Sequence, residues 1–536
     1  MSQFRAEPAE HEAEVVVVGL GPVGLLACLL LGQRGHRVIG LERWPSPYSL
    51  PRAVTFDHEI ARILAQIGID ADNDLAIDYH DDHYYWINAD HEILMEVDWI
   101  SKANDGWRNR YWFSQPDLEE RLRAIISSLP SVTLMAGNEV DGLEQDDTGI
   151  TVTYHEDVAQ GTTTVAVENG RTGRVRAKYA IGSDGANSFV RRATGRDYVD
   201  LNFASDWLVV DVTPEVMPKY RTAHFQICDP ARPTTVVPGG PARRRWEFMA
   251  LPGEDLTELA SPETVWRLLE PWGLNAQNAQ LDRAVVWRFQ AKYVENWRAG
   301  RALLAGDAAH LMPPFAGEGM CAGLRDIENL IWRLDLVLSG VSGVDLLDEW
   351  ASERREGAKW YINFSAELGR VICVTDPDDV RARDERMKAE YARQSQVGPV
   401  SPHRALLGAG TWVGDDPLAG QPSVQGRVAY QGRTGRFDNT VGLGWFLLSA
   451  PGADGTLTSA ERSRLEAAGG HALVVGPRGS GADVIDLERV YTDWMAVNEV
   501  SHLFVRPDFY VAATARDGDE LRVRFEEVMD TVIPIT

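Results

Sequence analysis

The sequence predicts an α/β protein in three parts: a parallel sheet with crossover helices, a mostly antiparallel sheet inserted into it, and a last small α/β unit. Three observations carry this reading. First, the β-branched run Val15–Val18 leads through a glycine turn into an apolar helical stretch (25–33) and a second strand (38–41) ending at Glu42. A β-α-β order with short loops implies parallel strands. Second, between about residues 206 and 286, β-branched and aromatic segments (207–212, 224–227, 234–237 and 245–249) alternate with turn residues, as antiparallel strands do. Third, a stretch holding two prolines and a glycine (396–403) precedes further apolar runs at 441–448, 472–475 and 503–511. The expected boundaries are 1–200 and 291–395 for the first domain, 201–290 for its insert and 404–536 for the last unit.

Composition narrows the function classes. The chain has 536 residues and a formal charge of −26, which argues against a nucleic acid as partner, since phosphate binding needs cations. Hydrophobic content of 44% and 17 tryptophans argue against disorder. The cysteines Cys28, Cys228, Cys321 and Cys373 lie far apart with no C-x-x-C pair. Neither a disulfide scaffold nor a structural metal site is expected, and a reducing, cytoplasmic setting fits. Residues 15–33 carry no charge, about the length of a bilayer span. Gly19, Gly21, Pro22 and Gly24 interrupt them and the leader (Glu7, Glu10, Glu12, Glu14) is acidic, so no membrane segment or signal peptide is expected.

Other elements follow from local signals. A helix should start at Ser114 or Gln115, with Pro116 at an early helical position and carboxylates in the first turn. Short strands should fill 150–181, and a small apolar strand 302–305. Residues 320–338 show helical periodicity, with Leu324, Ile327, Leu330, Ile331 and Leu334 on one face. The acidic stretch 70–82 reads as a solvated loop, and Gly408-Ala409-Gly410, lacking a preceding strand, as another.

Three motifs carry chemistry. Gly19-Leu20-Gly21-Pro22-Val23-Gly24 is a G-x-G-x-x-G turn between strand and helix. Gly19 permits the turn, Gly21 lets a pyrophosphate approach the backbone, and Gly24 lets helix and strand pack closely. Glu42, 18 residues after Gly24, ends the second strand where ribose hydroxyls are held. The reading is a Rossmann-like dinucleotide domain. The second motif is Gly182-Ser183-Asp184-Gly185-Ala186-Asn187-Ser188-Phe189-Val190-Arg191. The third runs from Gly300 through Gly306-Asp307-Ala308-Ala309-His310 to Pro313-Pro314-Phe315-Ala316-Gly317-Glu318-Gly319-Met320.

In this order the motifs resemble those of the single-component flavoprotein aromatic hydroxylases, the para-hydroxybenzoate hydroxylase family. The likeness is nearest to 3-(3-hydroxyphenyl)propionate hydroxylase and to phenol and polyketide hydroxylases, and it spans roughly the first 370 residues. The resemblance implies FAD as cofactor, with Gly19, Gly21 and Gly24 at its pyrophosphate, Glu42 at its ribose and Arg43 beside the adenosine. It implies Arg52, in Pro51-Arg52-Ala53, at the diphosphate and Gln115 at the flavin side. Asp184 would serve both FAD and NAD(P)H, and Asp307 the ribityl chain. The backbone from Gly317 through Gly319 and Met320 to Cys321 would face the flavin pyrimidine edge. There a helix N-terminus would stabilise the anion of reduced flavin.

NADH or NADPH would donate electrons transiently, and a C4a-hydroperoxyflavin would hydroxylate an aromatic ring. Pro313 and Pro314, with Phe315, would wall the reaction site and offer backbone carbonyls to a substrate hydroxyl. The substrate sheet offers His224, Gln226, Cys228, Arg245 and Trp246, some of which alternation sends away from the pocket. His310 reads as a structural residue. Expected substrates are phenols with a short acidic side chain or a polyketide-like ring. The last unit resembles the thioredoxin-like appendage of the phenol-hydroxylase branch, with Arg506-Pro507-Asp508-Phe509-Tyr510-Val511 as its terminal signature. Without a cysteine after Cys373, it can run no dithiol chemistry, which leaves a structural or homodimer-supporting role. Baeyer–Villiger oxidation or epoxidation of a non-aromatic ketone, and a non-catalytic carrier of the same fold, remain alternatives. Halogenation is disfavoured because W-x-W-x-I-P is missing.

Overall fold

The computed structural model describes residues 9–47, 52–160, 163–168, 170–215, 224–402 and 404–534. Glu7 of the acidic leader, Pro51 and His403 lie outside them. The uncharged run from Val15 folds as the strand Val15–Val18 and the helix Pro22–Gln33, both buried. Four valines in succession have no polar side to show water, so this strand needs cover on both faces. It lies between parallel neighbours, Tyr179–Gly182 on one side and Val38–Glu42 on the other. Val132–Ala136 continues the sheet beyond Val38–Glu42, and Ala302–Leu304 and Arg298–Ala299 complete the opposite edge. The strands ending at Val18, Glu42, Gly182 and Leu304 all finish at one edge. The three motifs therefore converge there, where open α/β sheets bind ligands.

A second sheet of eight strands stands beside that edge. Its spine is the antiparallel pair Tyr198–Pro214 and Ala279–Val294, which carries the chain out of the first domain and back. Arg244–Met249, Thr234–Pro238 and His224–Ile227 follow in antiparallel order. The expected insert, 201–290, is incomplete: Tyr84–Ile87 pairs in parallel with His224–Ile227, and Ile93–Val97 pairs with Tyr84–Ile87. Tyr84, Tyr85, Trp86 and Ile87 are all buried. Such a run has no period and names no partner, so its sheet could not be read from sequence. One face of the sheet packs against the helices Leu256–Leu259 and Pro262–Leu269 through Leu208, Val210, Trp246, Phe248, Leu259 and Val265. The other face, bearing Trp207, Val209, Val237 and Phe289, looks toward the nucleotide sheet.

The helix Gly319–Leu338 begins beside both sheets. Its apolar face is buried as expected, but so is most of its polar side. Arg325 pairs with Glu59 and Glu318 at 3.1 and 3.0 Å and with Asp57; Asp326 pairs with His310 at 2.7 Å and Arg354 at 3.2 Å. Arg333 meets Glu353 at 2.9 Å. The segment 70–82 is not simply solvated: Asp72 accepts from Tyr111 Oη and Arg436, both at 2.7 Å, and Asp74 pairs with Arg121 at 3.0 Å. The last unit holds a seven-stranded sheet. At its centre Phe446–Ser449 lies parallel to His471–Gly476 and antiparallel to His502–Val505, which pairs with Val511–Ala515. Among the described residues no helix is long and apolar enough to cross a membrane.

Candidate active site

Two connected hollows follow from this arrangement. The first, about 280 Å³, is lined by Gly19, Gly21, Glu42, Arg43, Arg52, Gln115, Arg123, Asp184 and Gly185. The second, about 290 Å³, shares Gly21, Arg52, Gln115 and Gly185 with it and reaches the inner face of the large sheet. Gly19 has φ +91°, and a Cβ there would lie 2.6 Å from the Ser183 carbonyl oxygen. At Gly24 a Cβ would meet the Gly19 carbonyl at 1.9 Å, whereas at Gly21 it would meet nothing within 4 Å and point into open groove. The turn is packed behind and bare in front.

The polar groups of the first hollow are mutually braced. Glu42 accepts from the Leu20 N–H at 2.8 Å and the Trp44 N–H at 3.0 Å. Gln115 accepts from the Ala53 N–H at 2.8 Å and the Arg52 N–H at 3.3 Å, and donates to Glu119 at 2.8 Å. It thus pins the segment carrying Arg52. Asp184 accepts from the N–H groups of Phe189 and Val190, at 2.6 and 3.1 Å, and from Ser188 Oγ. Burial raises its carboxyl against those bonds. On the hollow's wall Glu139 joins His155, which bridges Asp141 at 2.8 Å and Asp157 at 3.0 Å, in a polar knot within electrostatic reach of Arg43.

In the second hollow Asp307 faces the cleft. Desolvation raises its carboxyl, opposed by His310 and Arg52, and its carbonyl accepts from Tyr198 Oη. His310 is itself held by Asp326, on the structural side of the strand. Gly317 (φ +68°), Gly319 and Met320 line the second hollow. The first intrahelical bond runs from Ala322 N–H to Glu318 O, and Glu318 supplies no side-chain cap. No acceptor among the described residues meets the N–H groups of Gly319, Met320 or Cys321. Such amides call for an anion or polar edge. The Cys321 side chain turns into the core, its thiol held protonated by burial; only its backbone belongs to this edge.

The far end of the cleft is floored by the sheet. His224, Thr235, Val237, Arg245, Glu247, Trp287 and Phe289 line it, and Val54, Thr55, Met312, Pro314 and Phe315 face them. Phe315 meets Trp207 and Phe289 edge-on at 5.4 and 5.9 Å. His224 is buried with no partner on either ring nitrogen among the described residues; desolvation, with Arg110 and Arg244, holds it neutral. Arg245 grips Asp211 through two bonds of 2.7 and 3.0 Å and donates to the Arg52 carbonyl at 2.6 Å. Four expected pocket residues are not at the cleft; one of them, Cys228, is fully buried in the apolar core with Trp86 and Trp207. Trp246 points to the opposite face, 5.8 Å from Trp272, because Arg245 and Glu247 take the inner positions of an alternating strand. Gln226 is closed off by bonds to Thr234 O and Thr235 Oγ at 3.2 and 2.7 Å. Pro313 is buried behind Pro314.

A family model described as an FAD binding domain matches residues 12–365. The chain belongs to that family. A second model, the HcaD C-terminal domain, matches 420–527. The probable NADH-specific resorcinol 4-hydroxylase of Rhodococcus jostii RHA1 is 34% identical over 100% of this chain and 98% of its own. The 3-(3-hydroxy-phenyl)propionate/3-hydroxycinnamic acid hydroxylase of Comamonas testosteroni is 29% identical over 95% of both. The flavin-dependent monooxygenase PieE, solved with FAD and substrate, superposes with TM-score 0.78 at 20% identity, covering 97% of this chain and 99% of that one. The flavoprotein is accordingly a single-component FAD-dependent aromatic hydroxylase. Its residues fit the cofactor: a bare glycine turn and three free amides are the features a pyrophosphate and a flavin edge require.

Proposed function

We propose that the enzyme hydroxylates a phenol of the resorcinol type with NADH and O2, with FAD lying along the two hollows. The carrying observation is their continuity: a glycine turn, a helix start with free amides and an aromatic-floored pocket form one cleft. Gly19, Gly21 and Arg52 would hold the pyrophosphate, Glu42 and Arg43 the adenosine ribose, Asp184 and Gly185 the junction, and Asp307 the ribityl chain. Gly24 acts from behind by packing the turn, and Gln115 by pinning Arg52. The backbone of Gly317, Gly319, Met320 and Cys321 would meet the flavin edge. When bound, FAD supplies the two-electron redox chemistry and the activation of oxygen.

The chain's own residues do the rest. Trp287, Phe289, Met312, Pro314 and Phe315 exclude water from the reacting ring. His224, neutral and without a partner among the described residues, can donate to or accept from a ring hydroxyl. A neutral phenol suits the floor better than a carboxylate-bearing one. Its arginine, Arg245, is already committed to Asp211, and Glu247 adds a carboxyl of its own. The NADH in the Rhodococcus relative's name supports that donor.

We also infer that the last unit is thioredoxin-like. In chain order its central strands Phe446–Ser449, His471–Gly476, His502–Val505 and Val511–Ala515 lie side by side as second, first, third, fourth. The helix Ser459–Ala467 connects the first two, and Gly518–Val532 follows the last. Ala450-Pro451-Gly452-Ala453, after the first of these strands, holds no cysteine, so its role is structural. The decisive assay is NADH and NADPH consumption with resorcinol and with 3-(3-hydroxyphenyl)propionate, with products identified. Resorcinol should give a trihydroxybenzene with NADH preferred. Stimulated NADH loss that yields only hydrogen peroxide would make the phenol an effector and refute the substrate.

A further inference from the structure

The floor of the cleft carries one carboxyl that the cofactor roles leave unused. Glu247 sits mid-strand in Arg244–Met249, 7% exposed, and lines the cleft beside Thr235 and Arg245. Across the sheet its register partners are Thr235 and Val209, so its side chain rises from a row of small and apolar neighbours. A carboxylate so placed should be paired and hydrogen-bonded. Instead its nearest cation is Arg245 Nη1 at 3.8 Å, beyond hydrogen-bond range. Arg245 spends Nε and Nη2 on Asp211, and Arg283 stands 3.9 Å from Asp211 as well. Among the described residues no donor reaches the Glu247 oxygens within hydrogen-bond distance. The carboxyl is therefore buried, aimed into the substrate end of the cleft, and lacking its hydrogen bonds.

We propose that Glu247 is the group that accepts the phenolic proton of the substrate. The step breaks the phenol O–H bond and forms a Glu247 Oε–H bond, and the electron pair stays on the phenolic oxygen. That enriches the ring where oxygen is to be added. The negative charge passes from carboxylate to phenolate, so the pair keeps one charge throughout and no second charge is buried. Burial supports the exchange: it raises the Glu247 carboxyl, against Arg245 and Arg283 and together with Asp211, and so narrows its distance from a phenol of pKa about 10. Among the described residues the charged or titratable groups facing it are Arg245 on its own strand, Asp211 and Arg283 on the two spine strands, and, beyond Thr235, His224 with Tyr84 of the neighbouring strand. The proposal rests on the phenol-hydroxylase reading and names the base that reading requires.

The test compares wild type, Glu247→Gln and Glu247→Asp as FAD-loaded enzymes, with the resorcinol Kd from calorimetry beside the rate of hydroxylation. Glu247→Gln should keep its FAD and bind resorcinol within about tenfold of wild type, yet hydroxylate about 100-fold more slowly. It should also lose the acid limb of the pH–rate profile, because only the ionised base works and wild-type rate rises with pH through its titration. A phenol already ionised at neutral pH should recover most of the lost rate. Glu247→Asp should retain the acid limb at reduced rate, and it carries the test if the glutamine variant does not fold. Wild-type rate and an unchanged acid limb in Glu247→Gln, or unchanged rate in Glu247→Asp, overturn the proposal. Failure of the wild type to hydroxylate any phenol would instead overturn the functional reading, a separate outcome.

Discussion

Gly21 and Gly24 share a motif and do opposite things. A methyl at Gly24 lands 1.9 Å from the Gly19 carbonyl oxygen and 2.7 Å from Ser183 Oγ, so backbone must move; a methyl at Gly21 touches no protein atom. Gly24→Ala should therefore destabilise the FAD-free protein by about 1–3 kcal/mol, the range for overpacking. Gly21→Ala should leave that stability within about 0.5 kcal/mol of wild type while weakening FAD binding at least tenfold, since its methyl occupies the pyrophosphate's approach. Thermal unfolding of the FAD-free proteins and flavin titration separate the two; equal effects in both variants would contradict the assignment. That Gly19, Gly21, Glu42, Asp184 and Asp307 would line one cleft was legible, because their motifs lie in short sequence spacings at strand ends. The place of Glu247 in it was not. Arg245-Trp246-Glu247-Phe248 alternates charge with aromatic ring, and sequence alone does not say which set turns inward. The normal expectation, charge outward, is reversed here because both faces are covered, by the cleft's opposite wall and by the helices beneath.

The helix Gly319–Leu338 was legible as an element but only half legible as a surface. Its apolar period marked one buried face but gave no sign that Arg325, Asp326 and Arg333 are buried as well, by partners distant in sequence, Asp57, His310 and Glu353. The same limit hid the Tyr84–Ile87 strand, whose partner lies 140 residues on at His224. In the proposed FAD pose this helix meets the flavin at its first turn. A Cβ at Gly319 would find only Met312 Cγ, at 3.7 Å, an ordinary contact. Gly319→Ala should thus stabilise the FAD-free protein by about 0.4–1 kcal/mol through the unfolded chain. In the proposed pose the same methyl stands where the flavin edge approaches. It should cost affinity for reduced FAD more than for oxidised FAD, because the free amides meet full negative charge only after reduction. The midpoint potential should then move negative by tens of millivolts, about 30 mV for each 1.4 kcal/mol of difference. A potential unchanged from wild type, with FAD bound, would show that these amides do not face the flavin.

Taken as a whole, the molecule is joined by buried charge rather than by apolar contact alone. Arg506 of the last unit pairs with Glu353 and Asp508, and Arg62 with Asp438 at 2.7 Å. Burial would raise Glu353, but Arg333 and Arg506 overcome it and hold its carboxyl at about 2. Its folded value lies below the unfolded one of about 4.3, so this contribution is full above pH 4.3 and is lost as pH falls toward 2. Glu328 works in the other direction. It is buried in the same helix, accepts from Gln66 at 2.6 Å, and is pushed up to about 7 by burial, with Asp508 and Asp438 of the last unit adding to the rise against Arg34 and Gln66. A raised folded value favours the folded state at low pH, and that advantage is lost as pH climbs from about 4.3 to 7. Above pH 7 the folded protein then carries a strained carboxylate costing roughly 3 kcal/mol. Glu328→Gln should be more stable than wild type at pH 8, by up to about 3 kcal/mol. The difference should shrink below pH 7 and fall to about 0.5 kcal/mol at pH 4.5, close to the unfolded value, where roughly half of the unfolded chain's Glu328 is protonated. Denaturant unfolding at pH 4.5, 6 and 8 measures this directly. A pH-independent difference would mean that the substitution acts through packing and that Glu328 is not titrating with the docking of the last unit.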